Sequence, residues 1–168
     1  ILNRLHGMYA AALYDPATRD GVLVRDPFGI KPLYIAETGY GIAFASEIAA
    51  LRAALGETGD PDTLHAACII DRQHAPDDLP AFAEIRRVAP GETLVIRVGR
   101  ITRRHCDSPL DDWSAASSDP GAFQTALHDS VSAHLMADVP LGLFFSGGVD
   151  SSAILAALAD LRARDGSG

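Results

Sequence analysis

The residues of this sequence best suited to chemistry lie in one glycine-rich heptapeptide at positions 146–152, SGGVDSS. Two adjacent glycines let a ligand approach the backbone without meeting a side chain. Serine hydroxyls and the backbone N–H groups of a turn that leads into a helix can bind an anion. The segment therefore predicts a nucleotide phosphate loop. Its candidate ligand-binding residues are Ser146, Gly147, Gly148, Val149, Asp150, Ser151 and Ser152.

Asp150 is the acidic residue of this loop, and its charge would repel phosphate. A carboxylate is useful there as a ligand of Mg²⁺, which bridges it to the phosphate oxygens. The loop is not a Walker A motif, because no Gly-Lys-Ser/Thr follows, and it lacks the third glycine of the dinucleotide fingerprint. An ordinary glycine-rich connection between strand and helix is the alternative interpretation.

Cysteine and histidine offer no comparable signal. Cys68 and Cys106 are isolated from each other and from any CxxC or CxxH spacing, so they predict neither a metal site nor a disulfide framework. We interpret both as small buried or surface residues of a reduced, cytoplasmic protein. No ligand spacing, and hence no role, is found for His6, His65, His74, His105, His128 and His134.

Arg25 and Asp26 could form a catalytic pair, but a structural role is favoured. In that interpretation they form an ion pair or a hydrogen-bonded corner that holds the loop through Gly29 and Pro32. Lys31 has the same standing, although a cation at this place could anchor something.

The elements around the glycine loop are a strand and two helices. The apolar run Pro140–Phe145 predicts a buried strand that ends at the loop, and Ala153–Leu158 predicts a helix after it. Apolar residues at a period near four predict an amphipathic helix over 121–136. From about residue 120 the pattern is therefore helix–strand–helix, the beginning of a doubly wound α/β domain.

The preceding residues predict mostly antiparallel β structure with short turns. A buried strand is expected at 8–15, which forms a hairpin with a second strand at 22–25. Further strands are expected at 33–36 and 42–45, and a second hairpin at 93–98 and 100–104 around Gly99. Ser46 is expected to cap a helix from Glu47 to about Leu55. Residues 56–90 are rich in Pro, Asp and Gly, with short helical patches near 62–70 and 80–86.

Composition limits the classes of partner. The chain has 168 residues, 48% of them apolar, and a net charge of −8, which argues against a nucleic-acid partner. The arginines at 97, 100, 103 and 104 are interpreted as a solvated strand face. No apolar run approaches the ~20 residues that span a bilayer, and no leader pattern is present. Because the sequence begins at Ile1 and ends just after a helix, we expect a fragment of a longer protein.

The heptapeptide resembles the pyrophosphate loop of the ATP pyrophosphatases, which split ATP into AMP and pyrophosphate. GMP synthetases, NAD synthetases, tRNA-modifying enzymes and argininosuccinate synthetases are similar here, so the loop alone does not choose among them. Residues 7–15, 25–34 and 44–48 resemble the second half of a class II glutamine amidotransferase domain, a four-layer αββα sandwich of the N-terminal-nucleophile type.

The order of these two units, joined by residues 135–142, is similar to that of the glutamine-hydrolysing asparagine synthetase family. The resemblance covers nearly the whole chain and is weakest at 56–90. Glutamine phosphoribosyl-pyrophosphate amidotransferases share the first half but continue into a phosphoribosyltransferase domain. The resemblance implies a C-terminal half of the amidotransferase domain at 1–105, a linker at 106–120, and the N-terminal part of the synthetase domain at 121–168.

The resemblance also implies a reaction. ATP lies on the 146–152 loop, with Mg²⁺ at Asp150 and adenosine against the backbone of Leu143 and Phe144. The side-chain carboxylate of aspartate attacks the α-phosphorus to give β-aspartyl-AMP, and ammonia from glutamine converts this to asparagine. The glutaminase nucleophile is a cysteine at the mature N-terminus, upstream of these residues, so no residue of this chain is assigned as catalytic.

Further expectations follow from the resemblance: glutamine, aspartate and ATP as substrates, and a homodimer of the full-length protein. We expect the 168 residues alone to be inactive. Two alternatives stay open: a related enzyme that adenylates another carboxylate, as β-lactam synthetases do, and a non-catalytic ATP-binding module.

Overall fold

A computed structural model describes residues 5–56, 59–76, 79–108 and 119–166. The chain divides into two units, Ile1–Trp113 and Ser114–Gly168. Residues 109–118, which make up most of the expected linker, lie outside the described residues. None of the described helices is long and apolar enough to cross a membrane.

The first unit contains two antiparallel sheets. Its strands are β1 Ala10–Asp15, β2 Asp20–Arg25, β3 Tyr34–Thr38, β4 Gly41–Ala45, β5 Arg86–Arg87, β6 Glu92–Arg97 and β7 Arg100–Cys106. The larger sheet has the order β1-β2-β6-β7 and the smaller one the order β4-β3-β5. Every strand pair is antiparallel, which confirms the mostly antiparallel β structure expected for this half.

Apolar side chains from both sheets share one core. Leu23 and Leu94 of the larger sheet pack with Ile35 of the smaller sheet, and Leu33 and Val88 complete the cluster. Because side chains alternate between the two faces of a strand, the neighbour of Ile35, Ala36, belongs to a second cluster on the opposite face. Sheet-on-sheet packing thus fixes the ends of β2 and β3, where the Arg25–Asp26 corner begins.

Helix α1, Ile48–Leu55, covers the outer face of the smaller sheet through Leu51. Ser46 is not its N-cap, so that prediction is wrong. The cap position is Glu47, whose backbone is extended and whose side chain makes no capping hydrogen bond. Packing of the apolar face of the helix against the sheet therefore outweighs the local capping signal.

Residues 56–90 contain one of the two expected helical patches. Helix α2, Thr63–Arg72, forms where the first patch was predicted, and the Asp62 side chain accepts a hydrogen bond from His65 N at 2.8 Å. The patch at 80–86 is not a helix. A bridge between Phe82 and Ile85 leads instead into β5, because residues 86–87 pair with β3.

β1 is less buried than predicted for Met8–Asp15. It begins at Ala10, and its residues 12–15 are exposed. Among the described strands β1 lies at the edge of its sheet and pairs only with β2, so nothing described covers its outer side.

Residues 119–166 of the second unit contain two helices, α3 Pro120–Ala133 and α4 Val149–Asp165, which pack on each other. Asp119 caps α3 by accepting a hydrogen bond from Gly121 N at 3.0 Å, and Pro120 occupies its first turn. The predicted helix is confirmed, although it ends three residues earlier than expected. Of the apolar positions that predict it, Val131 is buried, whereas Phe123 is 70% exposed.

Residues 140–145 do not form the predicted buried strand. The segment has no strand pairing, and Phe144 is fully exposed. A strand of a parallel sheet needs the backbone of neighbouring strands, and no described residue of 119–166 provides one. The helix after it is confirmed and begins earlier, at Val149, so Asp150, Ser151 and Ser152 lie in its first turn.

Candidate functional site

The glycine turn in front of α4 leaves its backbone accessible. Gly147 has φ +78°, a conformation that favours glycine, and a Cβ atom placed there would meet no atom within 4 Å. Gly148 is the N-cap of α4 and, as a glycine, has no side chain that could cap the helix. An anion could therefore approach the backbone at Gly147 without meeting a side chain.

The first turn of α4 supplies the donors for such an anion. The N–H groups of the first helical residues have no partner within a helix by its geometry, and the first helical bond here runs from Ser152 N to Gly148 O at 3.0 Å. A 17-residue helix also presents the positive end of its dipole at this point. Asp150 is the acidic residue of this turn, and it is exposed.

The serine hydroxyls form hydrogen bonds within the turn. Ser151 Oγ donates to Gly148 O at 3.1 Å and lies 3.2 Å from Ser146 Oγ, while Ser152 Oγ donates to the same carbonyl at 2.8 Å. Ser146 Oγ also accepts a hydrogen bond from Gly148 N at 3.4 Å. The hydroxyls of Ser151 and Ser152 must therefore give up their bonds to Gly148 O before they can donate to a phosphate.

Leu143 and Phe144 lie in the extended segment before the loop, and their surroundings differ. Leu143 lines an apolar groove of about 930 Å³ together with side chains of α3 and α4, among them Leu127, Val131 and Leu158. Phe144 points into solvent. The structure thus places Leu143 on the helix pair and leaves Phe144 available beside the loop.

Asp26 forms one half of a buried corner in the first unit. Only 1% of the residue is exposed, and its carboxylate accepts hydrogen bonds from three backbone N–H groups, those of Phe28 at 3.1 Å, Ile30 at 3.0 Å and Lys31 at 3.0 Å. Burial alone would raise the pKa of the Asp26 carboxyl, but these N–H groups stabilise its charged form and lower the pKa below its usual value.

Arg25 forms the other half of the corner and is equally buried. Its guanidinium donates to the carbonyl oxygens of Lys31 at 2.8 Å and Val88 at 2.6 Å, and also to that of Gly29. Gly29 has φ +62°, and a Cβ atom there would lie 3.0 Å from the guanidinium carbon. The prediction of a hydrogen-bonded corner is confirmed, whereas Lys31 itself is exposed.

Replacing Asp26 with asparagine is expected to lower the free energy of unfolding of the first unit by about 2 kcal/mol at pH 7. Because the folded pKa is lowered, the charged carboxylate stabilises fully above the unfolded-state pKa of about 3.9. That contribution disappears as the pH falls through the folded pKa. The difference between wild type and Asp26→Asn should therefore shrink below about pH 4 in denaturant titrations.

Asp71→Asn is the matched control, because the Asp71 side chain is 80% exposed on α2. It should change the free energy of unfolding little at any pH. An Asp26→Asn deficit that is the same at pH 7 and pH 3 would contradict a role for the carboxylate charge.

A second buried carboxylate was missed by the sequence analysis. Glu92 accepts two hydrogen bonds from Arg86, at 2.7 and 3.2 Å, and one from Ala89 N at 2.8 Å. It is 6% exposed and holds the turn that leads into β6. The Pro90-Gly91 turn before it was the available signal, but nothing in the sequence indicates that Arg86 lies opposite.

The cysteines are not brought together with catalytic partners. Cys68 is half-buried, and Cys106 is exposed with its Sγ 3.3 Å from Pro90 O. Within the described ranges no group of three or more His, Cys, Asp or Glu residues could hold a metal ion. No role is predicted for the histidines from the sequence, but His128 is buried beside Asp160.

Models of two described protein families match the chain. A model of the glutamine amidotransferase domain matches residues 1–106, and a model of asparagine synthase matches residues 122–166. The second match includes the glycine loop and α4.

Curated relatives align with the chain across both matches. A Mycobacterium tuberculosis protein named "Putative asparagine synthetase [glutamine-hydrolyzing]" is 40% identical over 93% of this chain and 26% of its own length. Asparagine synthetase [glutamine-hydrolyzing] 1 of Bacillus subtilis is 34% identical over 91% of the chain and 24% of its own length. Asparagine synthetase B of Escherichia coli is also 34% identical, over 92% of this chain and 24% of its own length. The chain thus spans about a quarter of the length of these relatives.

Proposed function

The chain belongs to the glutamine amidotransferase domain family, and on this basis we propose that it forms part of an ATP-dependent enzyme that converts aspartate to asparagine with nitrogen from glutamine. The observation that carries the proposal is the tandem order of the two family matches, 1–106 followed by 122–166, with the glycine loop inside the second. The relatives named as asparagine synthetases align across both.

The domain boundaries belong to the same proposal. Residues 1–105 would form the C-terminal half of an αββα sandwich, and two antiparallel sheets with α1 on one outer face are compatible with this. Residues 106–120 would be a linker. Residues 121–168 would begin a doubly wound nucleotide-binding domain, in which 140–145 would become a strand once neighbouring strands pair with it.

ATP is the substrate that the glycine loop would bind. The backbone N–H groups of Gly147, Gly148 and Val149 would hold the phosphates, with Ser146, Ser151 and Ser152 donating after their hydroxyls leave Gly148 O. The backbone of Leu143 and Phe144 would contact the adenosine. The positive end of α4 would stabilise the negative charge that develops as pyrophosphate leaves.

The residues of the loop are compatible with Mg²⁺. Asp150 presents an exposed carboxylate beside three serine hydroxyls, an all-oxygen donor set of the kind this ion prefers. When bound, Mg²⁺ would neutralise charge on the departing pyrophosphate. Asp150 would hold it next to the backbone N–H groups that bind the same phosphates.

The reaction at this loop would be adenylation. A carboxylate oxygen of aspartate attacks the α-phosphorus of ATP, pyrophosphate leaves, and ammonia then displaces AMP from β-aspartyl-AMP to give asparagine. The chain's own residues would bind and orient ATP in this scheme, and none is proposed as catalytic. Cys68 and Cys106 are not candidates for the glutaminase nucleophile, and the cytoplasmic location and the homodimer stay predictions.

The test uses the native protein and aspartate with ¹⁸O in its side-chain carboxylate. Adenylation predicts one ¹⁸O atom in the AMP released, together with aspartate-dependent exchange of labelled pyrophosphate into ATP. Label in inorganic phosphate instead would contradict adenylation. Exchange with another carboxylic acid but not with aspartate would contradict the asparagine assignment, and no exchange with any acid would favour a non-catalytic module.

A further inference from the structure

Helices α3 and α4 meet through a face that contains a buried histidine. His128 of α3 is 7% exposed, and Val131, three residues later on the same face, is 9% exposed. On α4, Ala157 is 2% exposed, and its side chain is a single methyl group. Small and β-branched residues at these positions let the two helices approach closely.

The polar contact across this face joins His128 to Asp160. His128 Nε2 lies 3.5 Å from Asp160 Oδ2, and Asp160 follows Ala157 by three residues on the same side of α4. The Asp160 side chain is 54% exposed, so its carboxylate lies at the rim of the contact while the imidazole lies inside it.

A buried imidazole is costly unless its N–H groups have partners, and this makes the contact directional. Apolar side chains that interdigitate already restrict the rotation of one helix on another. A buried nitrogen facing a carboxylate adds a polar contact, which is lost when either helix slides or turns. The pair therefore favours one rotation and one axial position of α4 on α3.

The position of α4 determines where the glycine loop points. Ten residues, or about 15 Å of helix, separate Asp160 from Asp150 in the first turn. A helix of this length moves as a rigid rod, so a rotation fixed at Asp160 also fixes the directions of the first-turn N–H groups and of Asp150.

We propose that His128 and Asp160 are positioning residues for the glycine loop. Their contact orients the first turn of α4 toward the phosphates of the ligand of the loop. The identity of that ligand as ATP rests on the function proposed above. The geometric part, that His128 sets the conformation of Gly147–Ser152 from α3, stands on the helix contact alone.

The test compares four variants of the native protein with wild type by TROSY-type ¹⁵N–¹H NMR. His128→Ala removes the partner of Asp160, and Asp160→Asn removes the charge. His128→Gln keeps an N–H donor near the position of Nε2. Asp129→Asn, at an exposed neighbouring position of α3, is the matched control. The readouts are the amide resonances and hydrogen exchange of Gly147, Gly148, Ser151 and Ser152, followed by titration with Mg-pyrophosphate.

His128→Ala and Asp160→Asn are expected to shift the loop resonances, to speed exchange in the first turn of α4, and to raise the Kd for Mg-pyrophosphate at least fivefold. His128→Gln should stay within twofold of wild type, and Asp129→Asn should have no effect. If His128→Ala does not fold, Asp160→Asn and His128→Gln still decide, because Asp160→Asn is isosteric at a half-exposed position and His128→Gln keeps a side chain of similar length with an N–H donor.

The proposal is overturned if the loop resonances and the Kd are unchanged in Asp160→Asn, or if His128→Gln is as impaired as His128→Ala. A wild-type loop that does not respond to Mg-pyrophosphate would contradict the proposed function instead. The resonances measured without ligand would still show whether the helix contact positions the loop.

Discussion

Asp150→Asn is expected to slow aspartate-dependent exchange of pyrophosphate into ATP by about 100-fold in the native protein, equivalent to about 3 kcal/mol. The substitution keeps the size of the side chain but removes the charge that would hold Mg²⁺ beside the leaving group. Because an amide oxygen can still bind the ion weakly, the loss should be smaller at high Mg²⁺ concentration.

The competing explanation for Asp150 is purely structural, since an acidic residue in a first helical turn stabilises the helix by about 0.3–1 kcal/mol. Asp150 is exposed, so Asp150→Asn should cost no more stability than that. Thermal unfolding of the variant near wild type, with exchange lost, would separate the two roles. Asp129→Asn is the control for a lost surface charge, and exchange that is unchanged in Asp150→Asn at every Mg²⁺ concentration would contradict a metal role.

Local signals in the sequence are sufficient for the hairpins and for α3. The turn residues at Pro16–Arg19 and at Val98–Gly99 each connect two antiparallel strands, and both predicted hairpins form. A two-residue turn sets the register of its strands without help from distant residues. Asp119 and Pro120 mark the start of α3 in the same local way.

Partners that are distant in sequence explain the failures. Residues 80–86 have a helical pattern, yet 86–87 pair with β3, some fifty positions earlier. The apolar run 140–145 has the composition of a buried strand, but no strand among the described residues pairs with it. An apolar composition indicates that a segment can be buried. Which strand it pairs with depends on residues elsewhere in the chain, which the local pattern does not contain.

The candidate functional residues differ in the same way. The heptapeptide can be predicted from the sequence because its turn, donors and helix start are contiguous. The burial of the Arg25–Asp26 corner cannot, because the Arg25 guanidinium donates to Val88, 63 residues away. Likewise, His128 has no partner in its own helix that would mark it, and Asp160 meets it only when α3 and α4 pack.

Arg25→Ala is expected to destabilise the first unit by at least about 3 kcal/mol. The substitution leaves the carbonyl oxygens of Gly29, Lys31 and Val88 without their guanidinium donor in a place where Arg25 is 1% exposed. Val88 N also donates to Leu33 O at 2.8 Å, so the corner ties the segment before β6 to the start of β3. Its loss should loosen both connections together.

Amide hydrogen exchange of β2 and β3 measures this effect in the first unit alone, which global unfolding of a chain with two units does not. Arg25→Lys should lose most of the same stability, because a single ammonium cannot reach three carbonyls in the geometry of the planar guanidinium. Arg100→Ala, at an exposed position of the β6–β7 hairpin, is the matched control and should change protection little. If amide protection of β2 and β3 is the same in Arg25→Ala as in Arg100→Ala, the corner contributes no stability. The conformation of the exposed loop that contains Phe28 and Ile30 would then need another explanation.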